Sequence, residues 1–242
     1  MKRALQKGTA ARIHAISFDM DDTLVYRTIS RTSYYKKVLH AAGLRSSERN
    51  TRRAIEATLE WEKDNFNALD RGNPIKIRVL FTTLLQEVGV GVNDFLISKL
   101  QRIRESETAW ALYADVKPFL ATLRHRGMKT VIVTNRPRWA LDRDLNGFEL
   151  KPYFDLTVTP DDAQARWGKR DTKMWHYALR RMKLKANEVL HVGDNHTEDI
   201  IVPESVGLSV IRIQRHHYDQ HSSHITIHSL SELPKAQNKL RL

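Results

Sequence analysis

The chain has 242 residues, 41% hydrophobic and 28% charged, the balance of a globular protein with room for one large domain and a smaller insert. It has no cysteine, which excludes disulfides, thiolate nucleophiles and cysteine-ligated zinc or iron–sulfur sites, and it has no apolar run long enough to span a membrane. The formal charge is +12, so the surface attracts anions: nucleic acid, phosphorylated metabolites or acidic membrane surfaces.

In chain order, Met1–Lys7 is basic and has no apolar core behind it, so it does not read as a secretory signal and a cytoplasmic location is expected. The first structural signal is Ile16-Ser17-Phe18, a short apolar run that ends abruptly in Asp19 and Asp21. The run reads as a buried strand with the aspartates at its carboxyl end, where open parallel sheets bind ligands. Two carboxylates spaced i, i+2 on an extended segment point the same way. Their repulsion must be offset by a divalent metal or by a proton. Without cysteine, the available metal ligands are Asp, Glu, His and backbone oxygens, a set that favours a hard cation.

Four helical stretches come next: 30–42, stopping at Gly43; 47–69, with Ile55, Leu59, Phe66 and Leu69 on one face; 74–89, opened by Asn73-Pro74 and carrying Ile75, Val79 and Leu84; and one from Asn93 with Leu96, Leu100 and Ile103. Short links favour antiparallel neighbours, so this region reads as a small helical bundle. Tyr26 and Arg27 lead into it and are placed as a hinge. Beyond Asp115 the pattern alternates: helix 116–126, strand 130–135, strand 154–158, helix 171–182, strands 189–192, 208–213 and 225–227, and a helix 230–235. Alternation predicts an α/β fold, a Rossmann-like doubly wound parallel sheet. The first strand belongs to that sheet, so the domains expected are a core of 1–27 and 112–242 and an inserted helical unit of 28–111.

Chemistry-bearing residues gather at the expected strand ends. The second core strand ends in Thr134-Asn135-Arg136, and a later one in Gly193-Asp194, with His196, Glu198 and Asp199 just beyond; Gly168-Lys169-Arg170-Asp171 lies between. In this order the set resembles the haloacid dehalogenase superfamily, whose members are mostly magnesium-dependent phosphatases. Asp-Met-Asp-Asp-Thr-Leu-Val resembles its first motif, the Thr134 strand the second, Lys169 the third, and Gly193-Asp194 with Asp199 the fourth; the insert resembles a C1-type cap by position and helicity.

The resemblance implies that Asp19 is the nucleophile that forms an aspartyl-phosphate, and Asp21 the general acid and base. It implies Mg²⁺ held by Asp19, the Asp21 carbonyl and Asp194, with Asp199 near its waters, and phosphoryl oxygens held by Thr134 and Lys169. Lys173 competes with Lys169 for the lysine role, because Arg170-Asp171-Thr172 departs from the family's usual Pro-Asp-Pro. An acid at Asp21 favours phosphate esters, since a halide leaves without protonation. Thr134, Asn135, Arg136 and Lys169 are the expected substrate-binding residues; Arg136 either reaches a second anionic group on the substrate or is salt-bridged. His191 reads as a core histidine, His196 as a loop residue with substrate contact as its less favoured reading, and His216, His217, His221 and His224 as surface-loop residues without the spacing of a helical zinc pair. The reading is a phosphatase of small phosphorylated metabolites. Its alternatives are a phosphomutase or dehalogenase-like hydrolase of the same superfamily, or a nucleic-acid-associated phosphatase, the last suggested by charge alone without a recognised nucleic-acid motif.

Overall fold

The first strand, β1 (Ala15–Phe18), is buried along its whole length, as a central strand covered on both faces is. Ile16 and Phe18 join one hydrophobic cluster and Ala15 joins another, the two-residue alternation of a strand sandwiched between layers. The structure, a computed structural model, describes residues 12–106, 109–216 and 224–240. Met1–Lys7, His217 and His221 lie outside the described residues.

After β1 the chain makes a tight turn and runs out through β2 (Val25–Arg27) into four helices: α1 (Arg31–Ala41), α2 (Glu48–Asn65), α3 (Pro74–Glu87) and α4 (Asp94–Ser106). It returns through β3 (Trp110–Leu112), which pairs antiparallel with β2. The core then continues through α5 (Val116–His125), β4 (Lys129–Val133), α6 (Arg138–Gly147), β5 (Leu156–Val158), α7 (Pro160–Ala163), α8 (Thr172–Met182), β6 (Val189–Gly193), α9 (Val202–Val206), β7 (Ser209–Ile213), β8 (Thr226–Ile227) and α10 (Leu233–Leu240).

Six strands form one parallel sheet in the order β5-β4-β1-β6-β7-β8. One face packs on α5, α6 and α10 through residues such as Leu120, Leu141 and Leu233. The other packs on α8 through Met174, Trp175 and Ala178. This is the expected Rossmann-like doubly wound core. The four inserted helices bury a separate cluster that includes Tyr35, Ile55, Phe81, Leu84 and Leu100.

Three details of the insert differ from the sequence expectation. The second helix stops at Asn65 instead of running to Leu69, because Asn67 accepts the Leu69 and Asp70 N–H groups and starts a separate turn there. On α3, Ile75 is 71% exposed and Val79 also faces out; the buried stripe is Ile77, Leu80, Phe81, Leu84 and Leu85. The fourth helix begins at Asp94, with Asn93 accepting the Leu96 N–H. In the core, α6, α7 and α9 add helices to the expected set; for α6, Leu141 and Leu145 after Pro137 carry the signal at i, i+4 spacing. The last helix starts at Leu233, after a 3₁₀ turn over Leu230–Glu232.

Candidate active site

Sheet order alone brings the chemistry together. β1 lies between β4 and β6, so their carboxyl ends are neighbours. Asp19 comes directly after β1 and donates its backbone N–H to Val192 O at 2.9 Å, which pins it against β6. Thr134 comes directly after β4 and donates its backbone N–H to Val158 O at 3.1 Å. Gly193 ends β6, and Asp194 is the next residue.

The structure places Lys169, not Lys173, beside Asp19. Lys169 is 3% exposed, and its Nζ donates to Asp19 Oδ1 at 2.5 Å and to Asp199 Oδ1 at 2.6 Å. The Lys173 side chain is 69% exposed, and its Nζ lies 4.0 Å from Asp171. The Lys169 backbone is anchored at both ends: its N–H donates to Asn135 Oδ1 at 2.8 Å, and its carbonyl accepts from Trp175 Nε1 at 3.0 Å. Asn135 also donates to Glu198 Oε2 at 2.7 Å, so its carboxamide ties the second, third and fourth motif loops together. Sequence reasoning missed this role of Glu198.

Asp199 sits on a π-helical turn over His196–Ile201, and both of its oxygens are engaged. Oδ1 accepts from Lys169 and from His191 Nε2 at 3.1 Å, and Oδ2 accepts the Asn195 N–H at 3.0 Å. His191 is buried, its Nδ1 lies 2.9 Å from Ser17 Oγ, and its ring packs edge-on against Trp175. It is the hydrogen-bonded core histidine that the sequence suggested. Burial pushes its pKa down, so the ring is neutral, with Nε2–H donating to Asp199 and Nδ1 accepting from Ser17.

Burial raises Asp19 well above the ordinary carboxylate range, although Lys169 opposes the shift. Burial would raise Asp199 too, but Lys169 and the His191 hydrogen bond outweigh it and hold Asp199 at about 2. Asp194 is pushed up to about 7, by burial first and then by the charge of Asp199. One carboxylate oxygen from each of Asp19, Asp194 and Asp199 lies within 4.8 Å of the others. Such crowding is costly without positive charge, and an all-oxygen set suits a hard divalent cation.

Asp21 and Arg136 form the other half of the site. Arg136 is buried; its Nε donates to Asp21 Oδ1 at 2.5 Å, its Nη1 donates to Asp144, and its guanidinium lies 4.2 Å from the centre of the Trp110 ring. Its backbone N–H donates to Thr134 Oγ1 at 3.2 Å. Asp144 and Trp110 are not recognisable in the sequence, since a helical Asp and a lone Trp carry no pattern. His196 is exposed, with its ring 5.8 Å from that of His224. His224 lies 3.1 Å from Glu204, and His216 lies 2.7 Å from the Tyr113 hydroxyl. Among the described residues, no helix is long and apolar enough to cross a membrane.

Comparison with known proteins gives a consistent family. Residues 13–207 match the model of the haloacid dehalogenase-like hydrolases. The chain is 27% identical over 231 residues to haloacid dehalogenase-like hydrolase domain-containing protein 3 of Danio rerio, covering 90% of this chain and 94% of that protein. It is 25% identical over 229 residues to glyceraldehyde 3-phosphate phosphatase of Methanocaldococcus jannaschii, covering 91% and 95%. Among solved structures it resembles a phosphatase of the same family from Thermococcus onnurineus, with a TM-score of 0.63, 24% identity and coverage of 92% and 97%. It also resembles a 2-haloacid dehalogenase from Pseudomonas syringae, with a TM-score of 0.66, 21% identity and coverage of 94% and 99%. The structural likenesses show the fold.

Proposed function

The chain belongs to the haloacid dehalogenase-like hydrolase family, and on that premise we propose that it is a Mg²⁺-dependent phosphatase of small phosphorylated metabolites, with 28–111 as a cap over a core of 1–27 and 112–242. The observation that carries the reading is the buried Lys169 ammonium held between Asp19 and Asp199 beside Thr134 and Asp194 at adjacent strand ends. Two phosphatase-named relatives, the Methanocaldococcus jannaschii enzyme and the pyrophosphatase PpaX of Bacillus cereus at 26% identity over 197 residues, support it.

Asp19 attacks phosphorus. Its Oδ1 is engaged by Lys169, so Oδ2 is the attacking oxygen. As the ester P–O bond breaks, the leaving oxygen takes the Asp21 proton, and an aspartyl-phosphate forms on Asp19. Asp21, now a carboxylate, takes a proton from the water that attacks that phosphate, and Asp19 is released. The Thr134 hydroxyl and the Lys169 ammonium hold phosphoryl oxygens. Asp199 keeps Lys169 in place. Mg²⁺, held by Asp19, Asp194 and the Asp21 carbonyl with Asp199 behind, would neutralise the charge between carboxylates and phosphate. The helical cap excludes bulk water and meets the leaving group.

Phosphate release from a panel of phosphorylated metabolites, with Mg²⁺ or EDTA, tests this. Metal-dependent release that Asp19→Asn abolishes while the fold persists is expected. No release from any ester by folded, metal-supplied protein would sink the reading.

A further inference from the structure

A cavity of about 450 Å³ opens between the helical insert and the core. Asp21 lines it, and Asp19, Lys169 and Asp194 do not, so it lies on the side of the general acid and not of the nucleophile. In the phosphatase reading, on which this inference rests, Asp21 marks the leaving oxygen. The cavity is therefore where the rest of the substrate sits. Its volume is that of a small-molecule site.

Its charge is one-sided. Among the described residues, seven cationic side chains line it against two acids, Asp21 and Glu62. Asp21 pairs with Arg136 and Glu62 with Arg31. Arg143 donates to Asp144 Oδ1 at 2.6 Å and to Glu105 O at 3.2 Å, whereas two other arginines are positioned by rings: Arg27 lies 4.4 Å from the centre of Trp110 and Arg104 5.2 Å from that of Trp139. A guanidinium set by a ring face keeps its charge and its in-plane N–H groups for another acceptor.

Two donors stand out. Among the described residues, Arg136 Nη2 and Arg104 Nη1 are buried nitrogens with no hydrogen-bond partner, and both residues line this cavity. Arg136 is 5% exposed overall, and its other two nitrogens are fixed by Asp21 and Asp144. Buried donors of this kind are rare in proteins because they are costly. They come from opposite layers, Arg104 from α4 of the insert and Arg136 from the loop after β4 of the core.

We infer that the leaving-group part of the substrate carries a second anionic group, a carboxylate or a second phosphate, bound by Arg104 and Arg136 across the two layers. Charge-assisted hydrogen bonds to two arginines would favour such a substrate over one with a neutral remainder by about 10- to 100-fold.

The test compares matched esters with Mg²⁺: 3-phosphoglycerate against glycerol 3-phosphate, and fructose 1,6-bisphosphate against fructose 6-phosphate. The expected result is a higher kcat/KM for the doubly anionic member. Arg104→Gln should shrink that ratio by about 10-fold or more, mainly through KM, and Arg104→Lys should restore part of it. Preference within the first pair alone identifies a carboxylate, and within the second alone a phosphate. Equal rates within both pairs, unchanged by Arg104→Gln, would overturn the inference and leave the phosphatase reading standing. If no ester is hydrolysed, the phosphatase reading falls, and calorimetry on the Asp19→Asn protein decides the inference. Tighter binding of 3-phosphoglycerate than of glycerol 3-phosphate, lost with Arg104→Gln added, supports it; equal affinities overturn it.

Discussion

A Cβ added to Gly168 would lie 2.0 Å from Asn135 Oδ1, and Gly168 has a backbone φ of +60°. The same Asn135 oxygen accepts the Lys169 N–H at 2.8 Å. Gly168 is thus bare and left-handed so that Asn135 can reach over it and fix the next residue, whose ammonium meets Asp19 150 positions away in sequence. Gly193 is bare for a parallel reason, since a Cβ there would lie 2.3 Å from the Asp199 carboxyl carbon.

Gly168→Ala should therefore fail twice. The methyl collides with Asn135 and with Ala68, whose Cβ would lie 2.9 Å away, and the left-handed backbone penalises any side chain. A stability loss of about 2–4 kcal/mol is expected, together with a fall in kcat as Lys169 shifts. Urea denaturation and steady-state kinetics on one preparation check both; wild-type values in either would show that the turn does not position Lys169.

Metal binding has a readout separate from turnover. A cation that binds only the folded carboxylate cluster raises stability, by about 2.7 kcal/mol when its free concentration is a hundred times Kd. Adding Mg²⁺ to EDTA-treated wild-type protein should raise Tm by several degrees, and Asp194→Asn should remove most of that rise. A rise of equal size in the variant would place the metal elsewhere.

The Asp115 carboxylate gives a pH dependence remote from the cluster. Its Oδ2 accepts from Arg215 Nη1 at 2.7 Å, Ser229 Oγ at 2.7 Å and the Leu230 N–H at 2.8 Å. Arg215 in turn donates from Nη2 to Thr23 O at 2.7 Å, which braces the turn after Asp21. Burial would raise Asp115, but the hydrogen bonds from Arg215 and Ser229 outweigh it and hold it below the ordinary value. With the folded pKa below the unfolded one, its stabilisation is complete above pH ~4 and is lost as the pH falls through the folded value. Asp115→Asn should cost about 1–3 kcal/mol at pH 7, and the gap to wild type should close in strong acid. A gap of constant size from pH 7 to pH 2 would contradict this.

Much of the site was legible because its parts are local. A buried strand is an apolar run, and Asp19, Thr134 and Gly193-Asp194 stand at the carboxyl ends of three such runs. Helix starts were legible where a side chain caps its own turn, as Ser30, Asn73 and Asp171 do. Elements whose pattern admits two readings were not. On α3 the exposed Ile75 and Val79 share helical spacing with Leu84, and only packing against the other inserted helices selects the true stripe.

By itself the sequence determined the chain order of the six sheet strands, the acids at the strand ends, and four helices between the first and second core strands. These arise from periodicity and from side-chain chemistry within a few residues. Tertiary structure decided which lysine faces Asp19, that Arg136 pairs with Asp21 and Asp144, and that arginines from the insert and the core surround one cavity. Those partners are far apart in the chain. The parallel sheet order and the β2–β3 ribbon bring them within bonding distance, and no local pattern encodes a contact that depends on where two distant segments dock.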